Sequence, residues 1–202
     1  MIKNYFSLII SILLLFSGTN NVFAAKAASL PNPKKITFAK LARIAVEDYL
    51  GNKKTVFKNF VLTDNYTDRP KGVFVTITGK DNKSFGCWGS LNPPIDLKIA
   101  IASSAVDAVK KDYRTKLLSL SDLNKVKFQV AIVTNILPIS SFKYINPIKD
   151  GLMVRAGGRT GIILPGESVD SYYQMVQARL KAGIASKESC NMFKLVTKLY
   201  KE

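Results

Sequence analysis

Histidine is absent from this 202-residue chain, cysteine occurs twice, tryptophan once and glutamate four times. Each shortage excludes chemistry. Without histidine there is no Ser-His-Asp triad, no Cys-His dyad and no imidazole-ligated metal. Cys87 and Cys190 alone cannot build a four-thiolate zinc site or a standard iron–sulfur cluster. Glu47, Glu167, Glu188 and Glu202 all lie far from Cys87 in sequence, so acid–base partners for a thiol are scarce. No metal and no cofactor is indicated. Negative charge is in short supply too: 30 Lys+Arg against 14 Asp+Glu leave a formal charge of +16. With 47% hydrophobic and 22% charged residues, the balance is that of a soluble globular domain.

Long apolar runs are missing except at the N-terminus. After Lys3, Tyr5 to Phe16 reads YFSLIISILLLF without a charge, short of the roughly 20 residues a membrane span needs. Polar residues and then Val22-Phe23-Ala24 follow. This is the pattern of a secretory signal peptide over 1–24, cut after Ala24, with Ala25 and Ala27 as other cut points. Left uncleaved, the same run would anchor the protein at a membrane. Residues 25–33 (AKAASLPNP) read as a flexible lead-in, and 34–202 as one domain. The expectation is a secreted or periplasmic protein with no membrane span after cleavage. In an oxidising space Cys87 and Cys190 either pair or stay as packing thiols.

Thr37 N-caps a helix with Leu41, Ile44, Ala45, Val46 and Tyr49 at helical spacing, stopped by Gly51. Residues 55–62 read as strand or loop. Residues 73–78 read as a strand, returning through 79–83 to Phe85, Gly86, Cys87 and Trp88. Asp96 opens a helix with Ile99, Ala102, Ala105, Val106 and Val109 on one face, and Ser121-Asp122 opens a further turn. Val126, Phe128, Val130 and Ile132 alternate with Lys127, Gln129 and Ala131, the mark of a strand with one buried face. Residues 152–154 and 162–164 flank Gly157-Gly158 as a second hairpin. Asp170 caps a helix carrying Tyr173, Val176 and Leu180, with Gly183 as its stop. Ser186 caps a last helix with Met192, Leu195, Val196 and Leu199 as its stripe. Strand pairs with helices between them predict α+β with a largely antiparallel sheet.

Several of these segments, in this order, resemble the AMMECR domain family. Gly72-Val73-Phe74-Val75-Thr76 is similar to the family's first strand, and Ser84-Phe85-Gly86-Cys87-Trp88-Gly89 to its Leu-Arg-Gly-Cys-Ile-Gly motif. Asp112-Tyr113-Arg114 resembles its Asp-x-Arg signature, Leu164-Pro165 its Leu-Pro turn, and Lys181-Ala182-Gly183-Ile184 its Lys-Ala-Gly-Leu helix end. The resemblance implies an antiparallel sheet with flanking helices, arranged as a main and a smaller lobe. It implies the cysteine motif as functional site and brings no established reaction. This chain departs there: Ser84, Phe85 and Trp88 stand where the family has Leu, Arg and Ile.

Three places can carry chemistry. Cys87 is a nucleophile if a cation or a helix N-terminus lowers its pKa, and a packing residue otherwise; its flanking glycines permit close approach by a ligand. Asp112 and Arg114 either present a planar fork to a carboxylate or phosphate, or pair internally. In 155–161, Arg155 and Arg159 flank Gly157-Gly158, with Gly161 beyond, and the glycine-rich backbone either cradles an oxyanion or makes a hairpin turn. The scattered lysines predict weak, non-specific attraction to anionic polymers or lipid headgroups, and no motif of a specific nucleic-acid reader is present. Two functions remain. In one, the chain is an exported binding or accessory module that takes a small molecule or protein partner in a cleft beside Gly86-Cys87-Trp88, with Trp88 or Phe85 in contact. In the other, it is an enzyme using Cys87 on a small anionic substrate held by Arg114 or Arg155.

Overall fold

In the computed structural model, two short strands, β1 (Lys34–Ile36) and β2 (Phe60–Leu62), pair in parallel beside a larger sheet. That sheet is antiparallel throughout: β3 (Gly72–Gly79), β4 (Ser84–Ser90), β5 (Val126–Ile139), β6 (Asp150–Ala156), β7 (Arg159–Ile163) and β8 (Asn191–Lys201), ordered β4-β3-β5-β8-β6-β7. The structure describes residues 32–202 apart from Asn82 and Lys116. The expected signal peptide and most of the lead-in lie outside the described residues. No described helix is long and apolar enough to cross a membrane.

Among the described residues three α-helices back the sheet: α1 (Phe38–Leu50), α2 (Leu97–Lys110) and α3 (Ser171–Ala182). Their ends follow from local chemistry. The Thr37, Asp96 and Asp170 side chains accept amide hydrogens of the first turns, which have no partner inside a helix. Gly51 and Gly183 stand at the C-caps of α1 and α3. Helices α1 and α2 cover the face of β3 and β5 that carries Val73, Val75, Ile77, Phe128, Val130 and Ile132, which is the main core. Helix α3 covers Leu152, Val154 and Ile163 on β6 and β7, the smaller lobe. The fold is thus the expected α+β arrangement with two lobes.

Two expectations need correction. The last segment is not a helix but the eleven-residue strand β8, hydrogen-bonded between β5 and β6. A strand covered on both faces puts apolar residues in adjacent pairs, here Met192/Phe193, Leu195/Val196 and Leu199/Tyr200. Pairs at that spacing imitate the i, i+3, i+4, i+7 period of a helix. The buried face of α2 is also rotated from the expected one. Ala100, Ile101, Ala102, Ser104, Ala105 and Ala108 lie inside, so Ala102 and Ala105 are buried as expected, and Val106 and Val109 pack at the core's edge. Ile99, however, is 44% exposed, and Ala100, Ile101, Ser104 and Ala108 take its place. Small residues face the sheet because α2 comes very close to it, as Gly86 shows below.

Candidate functional site

One rung of the sheet carries the site. Register sets Cys87 on β4 opposite Thr76 on β3, Thr76 opposite Gln129 on β5, and Gln129 opposite Lys201 on β8. Directly opposed residues of antiparallel strands project from the same face. A thiol, a hydroxyl, an amide and an ammonium therefore stand in a row. On a neighbouring rung, Phe74, Ala131 and Leu199 belong to a small apolar cluster on this same face. The polar row marks where that apolar face opens into a groove of about 840 Å³. The segment after β7 (Pro165, Gly166, Glu167) and α3 (Gln177, Lys181) form its other wall. A hollow of about 190 Å³ adjoins it, bordered by Trp88, Arg114 and Ile162 and sharing Cys87, Glu167 and Lys181.

Around Cys87 the polar contacts are few and specific. Thr76 Oγ1 donates to its Sγ at 3.3 Å, and the thiol donates to Glu167 Oε1 at 3.7 Å. The other Glu167 oxygen accepts from the Leu164 amide at 3.0 Å and the Lys181 ammonium at 3.2 Å. Burial pushes the Cys87 thiol up from the ordinary 9.0 to about 12. The Glu167 carboxylate adds to this, and the opposing pull of Thr76 and Lys181 does not prevail. Such a thiol carries about a thousandfold less thiolate at pH 7 than a free one. Iodoacetamide at pH 7 is therefore expected to label Cys87 far more slowly than a model thiol, read by site-resolved mass spectrometry. Glu167→Gln is expected to speed labelling severalfold, and rapid selective labelling of the native protein would contradict this account.

Asp112 and Arg114 form an internal clamp. An edge strand such as β4 leaves amides without sheet partners. The Asp112 carboxylate, only 1% exposed, accepts the Cys87 amide on Oδ2 at 3.0 Å. Arg114 closes on the same carboxylate through Nε at 2.8 Å and Nη2 at 2.9 Å. Burial drives this carboxyl upward, but the Arg114 fork and the Cys87 amide together outweigh it and hold Asp112 below the usual carboxylate range. The Arg114 side chain stays 49% exposed and faces the smaller hollow.

The remaining predicted residues fall elsewhere. Phe85 packs against the main core, and a Cβ on Gly86 would collide with the Ala108 carbonyl of α2. On Gly89 it would strike Phe74 and the Val73 carbonyl. The glycines flanking Cys87 thus admit a helix and a neighbouring strand, not a ligand. Trp88 is 37% exposed, with Lys111 Nζ 5.8 Å from its ring centroid, at the border of the smaller hollow. Arg155 is exposed on β6 opposite Thr160 and Asn191 and lines neither cavity. Gly157 and Gly158, at φ 51° and 80°, make the two-residue turn between β6 and β7, in the backbone conformation such hairpins need. Both cysteines are free, and Arg179 Nη1 donates to Cys190 Sγ at 3.0 Å. No group of three or more Cys, Asp or Glu that could hold a metal ion stands together among the described residues.

Sequence reading missed Thr76, Thr78, Gln129, Glu167, Gln177 and Lys181. A signal existed for three of them: Thr76, Thr78 and Gln129 are polar positions set between the core residues Val75, Ile77, Phe128 and Val130, on strands that lie inside the sheet. Glu167 is 80 residues from Cys87, and no spacing rule links them.

The AMMECR1 family profile matches residues 39–201. A protein of Methanothermobacter thermautotrophicus is 32% identical over 146 residues, covering 69% of this chain and 75% of that protein. Protein MJ0810 of Methanocaldococcus jannaschii is 31% identical over 162 residues, 73% of this chain and 78% of that one. The crystal structure of an uncharacterized protein of Pyrococcus horikoshii, PH0010, superposes with a TM-score of 0.68 at 23% identity. The superposition covers 82% of this chain and 89% of that one, which shows the shared fold. The ordered motifs, the curled antiparallel sheet and these likenesses together place the chain in the AMMECR1 family.

Proposed function

We propose that this protein is an exported binding module whose ligand, a small polar molecule, lies in the groove along Cys87, Thr76 and Gln129. The observation that carries this reading is the groove's lining. A pocket of about 840 Å³ is in the range that takes small molecules, and its walls combine a neutral thiol, two threonine hydroxyls and two glutamine amides. Gln177 lines it, and its buried Oε1 has no hydrogen-bond partner among the described residues, so rotation of that side-chain amide toward a ligand donor satisfies an acceptor that costs stability when left alone. Lys181 and Glu167 neutralise one another, as do Arg114 and Asp112, which leaves Lys201 as the unbalanced charge on the lining. That balance favours a neutral or singly anionic ligand with several hydrogen-bonding groups. Export accords with the N-terminal apolar run and its small-residue cut site.

The enzyme reading draws on one contact, the 3.7 Å approach of Glu167 Oε1 to the thiol. It is opposed by the raised pKa of that thiol, which the same carboxylate helps to produce. Binding is the better use of this geometry. Native mass spectrometry of the protein purified from its own host tests it. The expected spectrum shows a non-covalent adduct that is lost in Ser84→Trp, which fills the exposed rim of the groove. An adduct that persists in that variant, a covalent adduct on Cys87, or no adduct in the wild type would each overturn the reading.

A further inference from the structure

A second groove lies in the main lobe, between α1 and α2, and shares no lining residue with the Cys87 groove. It comes from the rotation of α2 noted above. Ile99, Ala102, Ser103 and Val106 occupy i, i+3, i+4 and i+7, one stripe of the helix along the groove; Ala102 and Val106 reach down to the main core and form its floor, while Ile99 and Ser103 stand exposed on its wall. Ala45 and Tyr49 of α1, again one turn apart, make the facing wall. Phe57 closes one side, and its segment is held by the Lys98 ammonium on the carbonyls of Phe57 and Phe60, at 3.4 and 2.7 Å. The volume is about 400 Å³.

Charge distinguishes one part of this groove. Lys53 and Lys54, on the turn that follows α1, line it, and their ammonium groups have no ion-pair or hydrogen-bond partner among the described residues. The acid on the rim, Asp107, is already neutralised by Lys111 at 2.7 Å. An apolar floor beside two uncompensated cations is complementary to a molecule with an apolar tail and one anionic head. A second copy of the chain is a poorer fit, since a stable protein interface buries about 800 Å² on each partner over an extended surface. A concave space of this size matches a small ligand instead.

We propose that the α1–α2 groove binds a free single-chain carboxylate amphiphile, its head group at Lys53 and Lys54 and its tail along Ala45, Ile99, Ala102 and Val106. Calorimetric titration of the full protein with dodecanoate, below the concentration at which it aggregates, tests this. Saturable one-to-one binding is expected. Decanoate is expected to bind about tenfold more weakly, since each buried methylene contributes about 0.8 kcal/mol. The glycerol monoester of the same twelve-carbon chain has no charge and is expected to bind at least tenfold more weakly. Lys53→Gln with Lys54→Gln is expected to bring dodecanoate down to the monoester's affinity and leave the monoester unchanged. Ser103→Trp fills the groove from an exposed helix position, and Ile99→Glu sets a carboxylate in the tail's path; each is expected to abolish binding while circular dichroism stays native. Equal affinity for acid and monoester, binding untouched in both groove variants, or attachment only to phosphatidylglycerol vesicles would overturn the proposal. The Ser84→Trp variant leaves dodecanoate binding intact, which keeps this site's test separate from that of the Cys87 groove.

Discussion

Gly86→Ala is expected to destabilise the fold by about 3 kcal/mol or more, a fall of about 10 °C in the thermal midpoint of a chain this size. Two costs coincide. Gly86 has φ 152°, a conformation that side-chain-bearing residues rarely adopt. Its missing Cβ is also where the Ala108 carbonyl of α2 enters, and backbone on both sides leaves nothing flexible to give way. Two further substitutions separate the terms. At Gly161 on β7 the Cβ would meet the Ala178 carbonyl of α3 without a positive φ, so Gly161→Ala carries the collision alone. At Gly158, φ is 80° but nothing lies within 4 Å, so Gly158→Ala carries the strain alone, about 1–2 kcal/mol. The expected order of destabilisation in urea is Gly86→Ala, then Gly161→Ala, then Gly158→Ala. A Gly86→Ala protein as stable as Gly158→Ala would show that α2 does not sit against β4 as described.

Asp112→Ala is the second large effect, expected near 3 kcal/mol at pH 7. It leaves the Cys87 amide on an edge strand and the Arg114 fork without their common acceptor. Asp112→Asn keeps the shape and one acceptor oxygen, so about 2 kcal/mol is expected. The effect depends on pH in a fixed direction. In the folded protein burial favours the neutral acid, but Arg114 and the Cys87 amide favour the carboxylate more strongly, and the carboxyl titrates below its ordinary 3.8. A group whose pKa is lowered by folding contributes its full stability above the unfolded value and loses it as the pH falls through the folded one. The gap between wild type and Asp112→Ala is therefore constant from neutral pH to about 5 and closes below about 4. Urea midpoints of both proteins across that range measure it. A gap that stays constant down to pH 2 would mean that the carboxylate does not hold the clamp.

Much of the fold was legible because its signals are local. Thr37, Asp96 and Asp170 cap helices through their own side chains, and Gly157-Gly158 turns a hairpin through its own backbone. The alternation over Val126 to Ile132 survives because one face of β5 meets the main core while the other carries Lys127 and Gln129. Where a second face is also covered, the same code loses its contrast. Strand β8 lies between β5 and β6 with apolar contacts on both sides, and its paired hydrophobic residues read as a helix. Helix α2 failed differently. Ala102 and Ala105 of the expected face are buried, yet closeness to the sheet favours the small Ala100, Ser104 and Ala108 beside them and leaves Ile99 outward.

The candidate site was legible only as a point. The motif singled out Cys87, and the spacing of Asp112 and Arg114 suggested the internal pair that the structure contains. What surrounds the thiol came from register and curl. Thr76 and Gln129 reach it because antiparallel pairing aligns residues of β3 and β5 with β4, and Glu167 reaches it because the segment after β7 folds back over the sheet. Composition alone excluded histidine chemistry, large metal clusters and a four-thiolate site, since a missing side chain is missing in every fold. Whether Cys87 is an activated nucleophile was a matter for tertiary structure. A thiol's acidity depends on burial and on charges within a few ångströms, and here those are groups that the chain brings from 80 residues away.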